Sequence, residues 1–159
     1  MADNSATQRR SADNLVVGIG EAYTVKNLTA TFAATAALAS GDTVTFGRIP
    51  SNARILAASR LYVDDLATSG SPTLDLGLIN VDSNIIDDPD ALSNGLSLST
   101  ASNDNLAISD HANSGLPAWD FVNAQTSDPG GEFIVRGVVK DAATTTTGDI
   151  TLDLFYVVD

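Results

Sequence analysis

Apolar and polar residues alternate along much of the chain, and a period of two is typical of a β-strand that buries one face. The clearest case is Thr73–Ile79, in which Leu74, Leu76 and Leu78 share one face. Similar alternation predicts strands at Tyr23–Ala34, Thr43–Arg48, Arg54–Asp64, Glu132–Lys140 and Ile150–Val158, with a shorter one at Trp119–Ala124. Clusters of Gly, Pro, Asn, Asp and Ser separate these segments, as is typical of turns.

Seven or eight strands joined by turns predict an all-β protein, built as an antiparallel β-sandwich of the jelly-roll type. The composition supports this prediction, because Glu21 and Glu132 are the only glutamates and Lys26 and Lys140 the only lysines. Helical surfaces normally use glutamate and lysine, so their scarcity argues against extensive helix. A chain of 159 residues is long enough for one domain with a substantial core.

The chain is expected to divide into a polar arm and one sandwich domain. Residues 1–20 predict an extended or flexible N-terminal arm, and residues 21–159 predict the domain. Arg54–Asp64 and Thr73–Ile79 are expected to pair as a hairpin with a loop of about seven residues. Residues 80–118 are rich in Ser, Asn and Asp and predict a long loop region, a feature that often carries binding contacts.

One short helix is predicted inside this loop region. Asp88 followed by Pro89 has the form of a helix N-cap and first helical position. The helix is expected to run through Leu92 and to end near Gly95, because glycine commonly follows a helix C-terminus.

Two parts of the chain are candidate partner contacts. Arg9 and Arg10 form a basic pair in an acidic protein, and they belong either to a solvated tail or to an anchor for an acidic partner surface. In the last predicted strand, Ile150, Leu152, Leu154 and Tyr156 share one face, but the opposite face carries Phe155 and Val157. A strand that is apolar on both faces indicates a contact with another sheet or another subunit.

The charge of the chain excludes some partners. The net charge is −12 with only 8 Lys and Arg residues, so binding to nucleic acid through a basic surface is not expected. No segment is long and apolar enough to span a membrane, and the N-terminal residues lack the apolar region of a secretory signal. Without cysteine, disulfides and thiolate metal sites are excluded.

We find no catalytic set and no cofactor motif. His111, the only histidine, would have to serve any Ser–His–Asp triad, but it sits in a polar segment without a nucleophile elbow and is interpreted as inert.

The acidic segment Asp82–Asp90 fails the EF-hand spacing, so a solvated loop is favoured over a calcium site there, although calcium between loops or subunits stays an alternative. Paired aspartates for glycoside cleavage stay an alternative too, but aromatic platforms for sugars are scarce. Trp119 and Phe121 are expected to pack in the core.

One part of the chain resembles small virion proteins of tailed bacteriophages. In those proteins an apolar strand leads to a Pro-x-x-Ala turn, a strand ending in Asp-Leu, a glycine-containing loop and Thr-Leu-Asp-x-Gly. Residues 42–79 contain the corresponding elements in Ile49–Ala53, Asp65–Leu66, Gly70 and Thr73–Gly77, and the segment Ile86–Ala91 is similar as well.

The resemblance implies a decoration, or cement, protein of a phage head. Such proteins tend to be sandwiches or jelly rolls, often homotrimeric, that bind the major capsid protein on the outer surface of the capsid and reinforce the shell. Under this hypothesis Arg9 and Arg10 contact the shell, and Phe155 and Val157 pack between subunits. A tail or head-fibre module that binds host-surface glycans through residues 80–118 is the alternative, and a hydrolase that uses His111 is a third reading.

Overall fold

The structure is a computed structural model that describes residues 3–5, 7–9, 24–80, 87–105, 115–122 and 126–158. These residues form eleven strands and one short helix. The elements are β1 (Asp3–Ser5), β2 (Thr7–Arg9), β3 (Lys26–Ala34), β4 (Thr43–Pro50), β5 (Ala53–Ile55), β6 (Arg60–Val63), β7 (Thr73–Asn80), β8 (Asp88–Ser97), β9 (Ser102–Asn105), α1 (Ala118–Phe121), β10 (Glu132–Lys140) and β11 (Gly148–Val158).

The strands form two sheets that pack face to face. Sheet A has the order β1-β4-β10-β7-β8, and sheet B has the order β2-β3-β11-β6-β9, with β5 also paired to β11. The pair β1–β4 is parallel, and the other pairs among the described strands are antiparallel. The prediction of an all-β sandwich is therefore confirmed.

The pairing order is that of a long hairpin folded over on itself. If β5 and β6 are taken as one interrupted strand, β3 pairs with the last strand β11, and β4 pairs with the next-to-last strand β10. The inner pairs are β6 with β9 and β7 with β8. Successive strands thus cross repeatedly between the sheets, which is the jelly-roll arrangement.

The inward faces match the predicted alternation. Among the residues that are at most 1% exposed are Val44, Phe46, Leu74, Leu76, Leu78, Phe133, Val135, Val139, Ile150, Leu152 and Leu154. Burial of this kind is worth roughly 25 cal/mol per Å² of apolar area, so these strands supply most of the hydrophobic stabilisation.

The predicted hairpin between Arg54–Asp64 and Thr73–Ile79 is wrong. β6 lies in sheet B and β7 in sheet A, so the connection crosses the end of the sandwich. Leu66 in this connection is fully buried, and its backbone N–H donates to the Leu98 carbonyl at 2.9 Å. An apolar residue in the connecting segment thus covers the end of the core, which a surface hairpin loop would not do.

The predicted strand Arg54–Asp64 is interrupted at Leu56–Ser59. The Ser59 N–H donates to the Leu56 carbonyl at 3.0 Å, which closes a turn. The Ser59 hydroxyl accepts from the Phe155 N–H at 2.9 Å and donates to the Phe155 carbonyl at 3.2 Å. A buried side chain thus satisfies backbone groups of β11 where the ladder with β5 and β6 is broken.

The predicted helix at Asp88–Leu92 is wrong, because this segment lies in β8. A Cβ atom on Gly77 would overlap the backbone of Asp88 and Pro89, so the two strands approach closely there. Leu92 is 4% exposed. Burial against β7 outweighs the helix-start signal, because an isolated helix of one or two turns is marginal in water.

The region 80–118 is accordingly not a continuous loop, since it also contains β9 and the start of α1.

The prediction of a strand at Trp119–Ala124 is wrong for the residues of this segment that the structure describes, because Trp119–Phe121 lie in α1. Ala118 and Phe121 are buried from one turn of helix, and the Trp119 N–H donates to the Ser51 carbonyl at 3.0 Å. Phe121 and Trp119 pack in or against the core, as predicted.

Candidate interaction surfaces

Among the described residues, no group of three or more His, Cys, Asp or Glu side chains is placed to hold a metal ion. His111 and residues 82–86 of the acidic segment lie outside the described residues. Of the rest, Asp87 accepts from the Asn80 N–H at 2.8 Å and Asp90 accepts from the Asn94 amide at 2.7 Å. Asp87 therefore binds the backbone at the end of β7, and Asp90 binds a side chain within β8.

No helix within the described ranges has the length and apolar character needed to cross a membrane.

The middle of the outer face of sheet B is polar and internally hydrogen bonded. The Thr31 and Thr151 hydroxyls lie 2.9 Å apart across β3 and β11. The Thr29 hydroxyl donates to Asp153 at 2.7 Å, and Arg60 stands opposite Asp153 on β6. Cross-strand pairs of this kind stabilise a solvated sheet face without any partner.

At one end of this outer face Phe155 and Val157 of β11 stand opposite Asn27 of β3 and Arg54 of β5. Together with Val25, which precedes β3, and Leu56, in the turn before β6, we call these two residues the apolar end of sheet B. Val25 is 60% exposed, whereas the other three are half-buried. The Leu56 N–H donates to the Phe155 carbonyl at 2.8 Å, which joins the turn before β6 to β11. The two predicted contact residues of β11 therefore lie beside further apolar residues that the sequence pattern did not single out.

The basic pair of the N-terminal segment is only partly described. Arg9 ends β2 and pairs in register with Thr29 of β3, whereas Arg10 lies outside the described residues. β2 thus belongs to the sheet that carries Phe155 and Val157, with β3 between β2 and β11. The contact roles of all four residues stay predictions.

The outer face of sheet A was not recognised from the sequence. On β10 it carries Ile134 and Val138, and on the neighbouring β7 it carries Ile79, which stands opposite Ile134. These side chains are half-buried. The sequence pattern contains this feature, because β10 has apolar residues at two of its outward positions, Ile134 and Val138.

Arg136 lies between Ile134 and Val138 on this face, opposite Gly77 on β7 and Thr45 on β4, and Asp75 stands opposite Val138. Its Nε atom is buried and has no hydrogen-bond partner. Two other cations of sheet A are paired, Arg48 with Glu132 at 3.6 Å and Lys140 with Asp75 at 3.7 Å. Arg136 is therefore a half-buried cation with an unused hydrogen-bond donor, which costs stability unless an acceptor reaches it.

The Tyr156 hydroxyl of sheet B is influenced by the charge of Glu132 in sheet A. Burial raises the pKa of the Tyr156 hydroxyl above its ordinary value, and the negative charge of Glu132 raises it further. Both influences disfavour the phenolate form.

Comparisons with known proteins give similarity in structure. A chain in the structure titled "Capsid of Ralstonia phage GP4" matches with a TM-score of 0.65 and 22% sequence identity, over 99% of this chain and 99% of that chain. A chain in the cyanophage Pam1 capsid asymmetric unit matches with a TM-score of 0.61 and 19% identity, over 94% of this chain and 95% of that chain. No family model matches the chain, and a search of curated protein sequences finds no match. The likeness establishes a shared fold over nearly the whole of each chain.

Proposed function

We propose that this chain is a non-enzymatic structural protein of a phage virion, and specifically a decoration protein that binds the outer surface of the capsid. The observation that carries the proposal is the whole-chain structural likeness to chains of two phage capsids. Fold alone does not determine function. The phage-like turn and strand motifs in residues 42–79 and the unpartnered apolar outer surfaces support the same conclusion from different observations.

The mechanism is multivalent adhesion to the major capsid protein. Three copies associate through the apolar end of sheet B, in which Phe155 and Val157 are the predicted packing residues. Arg9 and Arg10 then contact acidic groups of the shell. Because a trimer engages several shell subunits at once, weak individual contacts combine into stable binding that bridges neighbouring subunits.

The first test is binding of the purified protein to phage capsids that lack it, measured by co-sedimentation and by imaging of the particles. We expect saturable binding on the outer capsid surface. Presence of the protein in the tail or fibres of virions, with no capsid binding, would overturn the proposal in favour of the glycan-binding alternative.

The second test addresses subunit packing. Phe155→Ser combined with Val157→Ser is expected to give folded monomers by sedimentation velocity, because the substitutions remove apolar area from the outer face only. Thr29→Ser on the polar part of the same sheet is the matched control and should leave the trimer intact. A wild-type protein that is monomeric at high concentration would contradict the trimer.

The third test addresses the arm. Arg9→Glu with Arg10→Glu is preferable to deletion, because residues 3–5 and 7–9 pair with β4 and β3. The charge reversal is expected to weaken capsid binding at low salt and to leave the trimer unchanged. Unchanged capsid binding would remove the arm from the mechanism.

A further inference from the structure

We infer that the dipeptide Asn94–Gly95 is a latent deamidation site of this chain, which the carboxylates of Asp75 and Asp90 keep unreactive in the folded state. The inference concerns the chemistry of β8 and does not depend on the proposed function. An asparagine followed by glycine is the least hindered sequence for this reaction, because glycine has no side chain to obstruct attack by its own backbone nitrogen. The chain contains one such pair.

The reaction needs only water and base, and both reach the dipeptide because Asn94 and Gly95 are exposed. Base takes the proton of the Gly95 N–H, and the nitrogen attacks Cγ of Asn94. A bond from this nitrogen to Cγ forms, while the Cγ–Nδ2 bond breaks and the amide nitrogen takes up a proton and leaves as ammonia. Water then opens the resulting succinimide at either carbonyl, which gives aspartate or isoaspartate at this position.

The dipeptide forms a bulge in β8. Asn94 and Gly95 stand together opposite the single residue Asp75 of β7, because the register of the two strands shifts there. Gly95 has a φ of 71°, a left-handed conformation that glycine adopts without strain and that bulges commonly use. The Gly95 N–H therefore leaves the regular ladder and donates to the Asp75 carboxylate at 2.9 Å.

Two hydrogen bonds hold the two groups that must react. The attack requires a deprotonated Gly95 nitrogen, and the Asp75 carboxylate opposes this by accepting the N–H bond and by repelling the anion that would form. The Nδ2 atom of Asn94 donates to Asp90 at 2.7 Å. That bond ties the amide to a residue four positions earlier in β8, so rotation of Cγ onto the Gly95 nitrogen has to break it.

Deamidation here would disturb the pairing of β7 with β8. The new carboxylate would lie beside Asp90, where two negative charges repel each other. The isoaspartate product would also add one methylene to the backbone between Leu92, which is buried, and Leu96, which packs against the core. Protection of the dipeptide thus preserves the register of an edge strand of sheet A.

The experiment incubates the full chain at mildly alkaline pH and follows aspartate and isoaspartate at position 94 by peptide mass mapping. A synthetic peptide of residues 90–98 is the unfolded reference. Wild type should deamidate at least about tenfold more slowly than the peptide, and Asp75→Ala should be faster than wild type by about tenfold or more, because a charge-assisted hydrogen bond is lost. Asp75→Asn should be intermediate, since an amide oxygen still accepts from Gly95 without the charge. Asn94→Gln should abolish the product.

Two control variants separate protection by Asp75 from general loosening of the sheet. Thr73→Ala on the same strand loses a hydrogen bond to Asp141 but keeps the contact with Gly95. Lys140→Met removes the exposed ion pair of Asp75 and keeps its carboxylate. Each should change the rate by less than about threefold.

Two results would overturn the inference. Folded wild type that deamidates as fast as the peptide would show that the carboxylates give no protection. Thr73→Ala that is as fast as Asp75→Ala would assign the rate to opening of β8 from β7. If Asp75→Ala does not fold by urea unfolding, Asp75→Asn decides the point, and a rate equal to that of wild type would remove the role of the charge. Capsids enter none of these measurements, so their outcome is independent of the proposed function.

Discussion

On the outer face of sheet B, Thr29 donates to Asp153 and Thr31 shares a hydrogen bond with Thr151. On the outer face of sheet A, the Nε atom of Arg136 is buried and has no hydrogen-bond partner. On the first face these polar groups are paired within the chain, whereas the second face contains a buried donor without a hydrogen-bond partner. Burial alone does not separate these faces. The two faces differ in whether their polar groups are hydrogen bonded. An unsatisfied buried donor lowers stability, whereas a satisfied one is neutral or favourable.

The largest expected effect tests how sheet A forms its outer face. Gly77→Val should destabilise the protein by about 3 kcal/mol or more, because the new side chain overlaps the backbone of Asp88 and Pro89. Urea unfolding followed by tryptophan fluorescence measures the change. Ile79→Val on the same strand is the control and should cost about 1 kcal/mol. Equal effects of the two substitutions would mean that β8 does not need the close approach.

The next effect concerns the interruption of sheet B beside the apolar end. Ser59→Ala should cost about 1–3 kcal/mol, because the Phe155 N–H loses the hydroxyl of the buried Ser59 as its acceptor. Ser69→Ala in an exposed turn is the matched control and should stay within about 0.5 kcal/mol. The difference is measured by urea unfolding. If the two variants have the same stability, the Ser59 hydroxyl does not replace the broken ladder.

A direct comparison of the two outer faces follows. Asp153→Ala should lower the free energy of unfolding by about 1 kcal/mol, because Thr29 loses its acceptor and Arg60 loses the carboxylate opposite it. Arg136→Met should cost nothing or stabilise the isolated protein, because it removes a buried Nε donor that has no hydrogen-bond partner. Calorimetry of both variants decides the point. The contrast between the faces fails if Arg136→Met is the more destabilising of the two.

The smallest effect is a pH dependence that involves both sheets. The pKa of Tyr156 is higher in the folded chain than its ordinary value near 10. Above that ordinary value the folded state therefore binds more protons than the unfolded state, and stability falls as the pH rises. Tyr156→Phe should reduce this loss, measured by urea midpoints from about pH 9 to about pH 11. Tyr62→Phe is the control, and a loss that is unchanged in Tyr156→Phe would assign it to other groups.

The sequence determined which residues point inward, because alternation along one strand needs only the strand itself. Leu74, Leu76 and Leu78 are fully buried as their pattern predicts, and the all-β class follows from the same alternation with the shortage of glutamate and lysine. The second apolar face of β11 was visible for the same reason. β10 has the same feature, since Ile134 and Val138 lie on the face opposite to that of Phe133 and Val135.

The tertiary structure decided everything that depends on a neighbour. Asp88 and Pro89 carry a helix-start pattern, yet they lie in a strand because Gly77 admits their backbone against β7. The segment expected to be a hairpin loop instead connects the two sheets, and its Leu66 is buried at the end of the core. The sequence pattern does not single out Arg136. Its missing acceptor becomes visible only when β4 and β7 are placed on either side of it, because hydrogen-bond satisfaction depends on all the groups around an atom and not on those along its own strand.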